Sequence, residues 1–469
     1  MIGAALSRWT MASFAAALAF LIGALALMVA GYGFPAADIR APQTLLVVHM
    51  VTIGWLSLLL CGALFQFVPV LVAKPLLHER LVLPSLLALV AGLVSLLCGF
   101  FHLAAGDAVA SLLLGLAGVL LPAGFLLALF VLGTTLWNAR PLPLPARFVA
   151  VGLAGVAATA GFGALFALAL AGQVASPALL DLRAVAVPVH VSAGFGGWLT
   201  FTAVGVSYRL LPMFMLAPDH ERATGRVVLH SGSAALFLAV VAAPAEALVS
   251  GTTIAFLVAG VLALVALAAY AADLSFFYRM RKRRVVELNS KAALGAFAGL
   301  YLSTLLLLAL WATGTLERHA GALVYLVAFG WLSGLGLSQL YKIVPFLTWL
   351  ECYGPVMGRK PTPRVQDLVV ERRDGAWFGL YFVSVLAGTA ALLAGMPLLF
   401  RLASALTLAA TLAIGVELVL VRRLVNVKAA LRLPEGAARP RLFLPRRHHN
   451  LDKGPNRGPD MGPNMGAAR

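Results

Sequence analysis

Apolar residues run along the chain in twelve blocks, separated by short connectors in which the charged residues collect. Each block reaches the roughly 20 residues that a helix needs to cross about 30 Å of hydrocarbon. Within lipid a helix satisfies its own backbone hydrogen bonds, so long apolar blocks are read as membrane helices. The pattern predicts helices near residues 11–31, 45–72, 81–105, 109–137, 148–172, 186–214, 227–248, 253–280, 292–314, 321–350, 375–395 and 398–421. The fold class is therefore all-α and polytopic, with the membrane domain occupying residues 1–421. Residues 422–469 are rich in Pro, Gly and Arg and are expected to form a basic, disordered cytoplasmic tail. His448 and His449 in that tail are an adjacent pair able to catch a metal ion, with a solvated basic segment as the alternative.

The blocks repeat. Gly54-Trp55, Gly197-Trp198 and Gly330-Trp331 each stand fourteen residues before a proline, at Pro69, Pro212 and Pro345, counting from the tryptophan. An aromatic lies ten residues after each tryptophan (Phe65, Tyr208, Tyr341), and a long polar residue follows it (Gln66, Arg209, Lys342). The three segments are the second, sixth and tenth helices. Twelve helices thus read as three pseudo-symmetric four-helix units, about 11–137, 148–280 and 292–421. The glycines suit close helix approach. The tryptophans are too deep for an interfacial belt and are expected to pack inside the bundle.

Charge changes the picture in one respect. The net charge is +17 and only 11% of residues are charged, against about a quarter in soluble domains. The cations gather in alternate connectors, including Lys74, Arg140, Arg222, the Arg279–Arg284 cluster and Arg359–Arg373, whereas the other connectors and rims hold Arg40, Arg183, Arg318 and Arg401. That asymmetry predicts both termini in the cytoplasm of a bacterial inner membrane. It makes the basic surface a partner for lipid rather than nucleic acid. Three cysteines without paired spacing suggest neither a disulfide framework nor a thiolate metal site.

Ionisable groups at membrane depth are the functional candidates. His49 stands six residues before Trp55, about 9 Å further along the helix, and His190 stands eight before Trp198. Both fall at the outer ends of corresponding helices and are expected to face a common centre. Each is either a metal ligand or a hydrogen-bonded rim residue. His102 and His319 are further candidates for an outer polar cluster, with His319 placed in a connector. In the third unit Leu323 and Tyr325 occupy the two histidine offsets. Arg209 and Lys342 are expected to snorkel to the inner interface. Glu246 and Glu417 are the acids in the most apolar surroundings.

Twelve helices, threefold pseudo-symmetry and histidines on helices 2 and 6 resemble subunit I of the haem-copper oxidase superfamily, most closely its cytochrome cbb type. His190–Pro212, HVSAGFGGWLTFTAVGVSYRLLP, is similar to that type's sixth helix, and residues 330–346, GWLSGLGLSQLYKIVPF, to its tenth. The resemblance implies haem and copper as cofactors, with respiratory or cytochrome subunits as partners. It makes His49 a haem ligand, with Tyr325 in place of the family's helix-10 histidine, and His190 a copper ligand. The His-His pair of the family's seventh helix is missing between Val227 and Leu248, so dioxygen reduction is not expected. The chain also resembles, more distantly, the NnrS family of nitric-oxide-response membrane proteins. The expectation is a non-respiratory haem- or copper-binding accessory or sensor protein of respiratory or nitrogen-oxide metabolism. A cofactor-free membrane protein or transporter is one alternative. A nitric-oxide reductase or oxidase with an unusual centre built from His49, His102, His190 and His319 is the other.

Overall fold

The computed structural model describes residues 9–174, 176, 186–250 and 254–444, with the backbone alone for 247–250. Arg183, His448 and His449 lie outside the described residues. Among the described residues, twelve helices are long and apolar enough to cross a membrane. They are α1 (Thr10–Ala30), α2 (Pro42–Val72), α3 (Glu79–Ala105), α4 (Val109–Asn138), α5 (Leu144–Leu170), α6 (Ala186–Met215), α7 (Ala223–Glu246), α8 (Ile254–Arg279), α9 (Leu288–Ala312), α10 (Leu316–Val356), α11 (Glu371–Leu393) and α12 (Pro397–Arg422). No strand occurs among the described residues. The chain is an all-α, multi-pass membrane protein.

The predicted boundaries hold to a few residues, except at α10. That helix starts at Leu316, so His319 sits on its first turn rather than in a connector. Its 41 residues make it about 60 Å long at 1.5 Å per residue, twice the hydrocarbon thickness. The excess projects from the face that carries the cation-rich connectors, called the basic face below.

Each of the three inner helices α2, α6 and α10 widens into π-helical turns around its Gly-Trp pair: Met50–Ser57, Ser192–Phe201 and Leu326–Ser333. A π turn carries one extra residue and usually marks a special position. Here it orients three indoles in a ring. Trp55 Nε1 donates to Ser333 Oγ (2.9 Å), Trp198 Nε1 to Ser57 Oγ (3.0 Å) and Trp331 Nε1 to Thr200 Oγ1 (3.1 Å). Each acceptor stands two residues after the tryptophan of its own helix, so every unit donates to a second and accepts from the third. Ser57 and Ser333 pass the bond on to the carbonyls of Thr52 and Ala328, five residues back, the offset of a π turn. Trp55 and Trp331 are fully buried. The threefold repeat in the sequence is therefore a closed cycle of hydrogen bonds joining the three units.

Without a hydrophobic drive between helices in lipid, association depends on close packing, and glycines supply it at the ring. A Cβ on Gly299 of α9 would lie 2.6 Å from the carbonyl carbon of Gly330. One on Gly155 of α5 would lie 2.8 Å from Trp198 N. In the first unit the roles reverse, and Phe20 of α1 occupies the space beside Gly54.

Residues 423–444, in the segment expected to be a disordered tail, pack against the bundle. Leu424 and Val427 are buried, Asn426 Nδ2 donates to the Leu368 carbonyl at 3.0 Å, and Lys360 pairs with Glu435 at 3.0 Å. Tyr353 donates to the Arg432 carbonyl. A basic composition hid enough apolar positions (Leu424, Val427, Leu431) to dock the segment under the end of α10.

Candidate functional site

His49 projects from α2 just before its π turn. Its Nδ1 lies 2.7 Å from the Leu45 carbonyl and its ring 5.4 Å from Phe100 of α3. His190 lies near the start of α6, with Nδ1 3.0 Å from the Thr159 carbonyl of α5 and its ring 5.5 Å from Phe166. A carbonyl only accepts, so each Nδ1 carries the proton and each Nε2 is left as the lone-pair nitrogen. Tying Nδ1 to a carbonyl is how metal-binding histidines are oriented. The two imidazoles are half-buried. Beside His190, the Thr159 hydroxyl is buried with no partner among the described residues.

His49 packs against α3 and His190 against α5, and the tryptophan ring lies further along the same helices. The remaining candidates do not join them. His102 is bonded through Nδ1 to Asp107 at 2.8 Å on the exposed rim. No group of three His, Cys, Asp or Glu side chains able to hold a metal occurs among the described residues, so a centre of His49, His102, His190 and His319 is not assembled. Tyr325 is turned toward α11 and α12. Its ring lies 5.3 Å from that of Phe400, and its hydroxyl is 2.9 Å from where a Cβ on Gly388 would stand.

Below the ring, toward the basic face, α2, α6 and α10 enclose a cavity of about 100 Å³. Leucines dominate its wall, and only Ser207 and Gln339 bring side-chain polar atoms. The Gln339 Oε1 atom is buried with no partner among the described residues. The cavity holds a few water-sized molecules, not a macrocycle.

Deeper still lie buried acids that hydropathy did not single out. Asp273 of α8 accepts from Tyr208 Oη (2.7 Å), Arg222 (2.5 Å) and Thr224 (2.5 Å) and is fully buried. Asp374 of α11 accepts from Tyr341 Oη at 2.7 Å and from Arg373 at 2.9 Å. The equivalent tyrosines of the second and third units thus each hold an aspartate backed by an arginine, while the first unit has Phe65 there. Lys342 is half-buried and pairs with Glu287 (2.5 Å) in the connector before α9, which also receives Arg283 and Gln366. Arg209 pairs with Asp219 at the exposed surface, as an interfacial arginine should. Glu417 binds Arg373 and Asn426. Glu246 caps the start of α8 by accepting from the Ala255 N–H at 2.8 Å. The sequence did carry one further signal for the ring, the hydroxyl two residues after each Gly-Trp, in GWLS, GWLT and GWLS. Compared with models of known families and with curated proteins, the chain finds no match in either.

Proposed function

We propose that this chain is a copper-binding membrane protein built on the scaffold of haem-copper oxidase subunit I. It serves as an accessory or sensor protein of respiratory or nitrogen-oxide metabolism rather than as a dioxygen reductase. One observation supports the reading: His49 and His190, at corresponding places on α2 and α6, each hold Nδ1 on a main-chain carbonyl, which leaves Nε2 as the lone-pair nitrogen for a metal. Two neutral imidazoles and a hydroxyl fall short of the four donors of a structural zinc site. Copper heads the affinity order of divalent metals for nitrogen donors, and a two-nitrogen site leaves positions open for a small ligand such as nitric oxide. Haem fits these residues poorly, because Tyr325, its expected second ligand, faces α11 and α12. The absence of a His-His pair on α7 speaks against oxygen turnover. Metal analysis and a visible spectrum of the purified protein test the reading. It expects copper at one atom or fewer per chain and no Soret band. A Soret band that disappears in His49→Ala would restore haem, and neither copper nor haem above background would leave a cofactor-free scaffold.

The proposal places the basic face in the cytoplasm of a bacterial inner membrane, with both termini there, on the charge asymmetry of the connectors. Alkaline phosphatase fused after Leu288 is expected to be inactive and fused after Gly314 active. The reverse pattern would invert the topology and put the histidine pair on the cytoplasmic side.

A further inference from the structure

After Arg422, the last residue of α12, the chain doubles back along the basic face and closes a pocket of about 260 Å³. Four of its eight lining residues are arginines: Arg422, Arg423, Arg432 and Arg439. None is acidic. Arg422 is 5% exposed and neutralised by Glu351 at 2.8 Å, yet its Nε–H has no partner among the described residues. The Arg432 guanidinium donates to the carbonyls of Val425 and Val427, which fixes its position without neutralising its charge. Among the described residues, Arg423 and Arg439 face no carboxylate within ion-pair distance. Among the described residues, three guanidinium groups without a carboxylate partner therefore converge on one small volume. Leu424, Leu433, Pro440 and Leu442 make up its apolar half.

Like charges held together repel unless a counter-charge joins them. The planar fork of a guanidinium matches the oxygens of a phosphate. The contacts that order residues 423–444 bring the arginines together, so the pocket is a built feature rather than a run of sequence. We propose that this pocket binds a phosphate group at the basic face of the membrane. The headgroup of an anionic phospholipid and a soluble phosphate are its two sources. The apolar half suits the glycerol and first methylenes of a lipid, and basic pockets at helix ends are where anionic headgroups lodge.

The test uses the full chain in detergent and a double variant, Arg423→Gln with Arg439→Gln, which spares the Arg422–Glu351 pair. Native mass spectrometry with phosphatidylglycerol, against phosphatidylcholine, reads the lipid source. Thermal unfolding with inorganic phosphate, against chloride at equal ionic strength, reads the soluble one. The parent is expected to retain phosphatidylglycerol or to gain a phosphate-specific thermal shift, and whichever occurs names the source. The double variant, unfolding at the parent temperature without ligand, should bind that probe more weakly by about tenfold for each arginine lost. Equal binding by parent and variant, or no preference for either phosphate probe in the parent, would overturn the proposal.

Discussion

Glu351→Ala is expected to destabilise the folded chain by about 3–5 kcal/mol, the range for removing one partner of a buried ion pair. Both side chains are nearly inaccessible, 4% exposed for Arg422 and 1% for Glu351. Without the carboxylate, a guanidinium stays at the end of α12 with Thr348 and the Arg441 carbonyl as its remaining partners. Neither is an anion. The companion experiment isolates the cause. Glu351→Met combined with Arg422→Met removes both charges, and replacing a buried pair by apolar side chains is often near neutral. The double variant should therefore unfold much closer to the parent than Glu351→Ala does. Thermal unfolding of the purified proteins in one detergent decides it. A single variant within about 1 kcal/mol of the parent would show that water reaches this arginine.

Asp273→Ala should have an effect of similar size, for a different reason. The carboxylate gathers three donors, from Tyr208, Arg222 and Thr224, in a fully buried place. Each buried donor left unpaired costs about 1–3 kcal/mol, so a total of about 3–5 kcal/mol is expected after partial relaxation. Asp273→Asn keeps an acceptor oxygen for Tyr208 and should recover a good part of that loss. If alanine and asparagine destabilise equally, the charge on Asp273, and not its hydrogen bonding, is what the fold uses. Retention of parent stability by the alanine variant would mean that α8 repacks and that the tyrosine–aspartate contact adds nothing.

The twelve spans were legible because lipid admits so few residue types, and apolar runs of the required length leave little else to choose. The threefold repeat was legible too, since Trp and Pro keep one spacing in all three units. What joins the units was harder to read. The ring requires Trp55 to find Ser333, 278 positions away, and spacing within a helix does not report which neighbour it touches. The same gap hid Asp273, whose partner Tyr208 is 65 residues distant. It also hid the partner of Lys342, Glu287, which stands in the connector before α9. Helical position put His49 and His190 at similar depths on α2 and α6 but did not show how their rings are held. Ring orientation depends on the Leu45 and Thr159 carbonyls and on Phe100 and Phe166, none of which the repeat encodes. Tyr325 was assigned by offset alone, and its neighbours Gly388 and Phe400 draw it the other way.

The histidine pair is the centre of the functional reading, and copper(II) affinity tests it most directly. Purified parent, His49→Ala, His190→Ala and His102→Ala are titrated with a coloured copper(II) chelator, and the chelator concentration that strips the metal is compared. Each of His49 and His190 supplies one of two nitrogens, so either substitution should weaken binding by about a hundredfold or more, while His102→Ala, whose ring is already bonded to Asp107, should match the parent. Equal affinity in all four proteins, or loss in His102→Ala with none in His49→Ala and His190→Ala, would contradict the assignment.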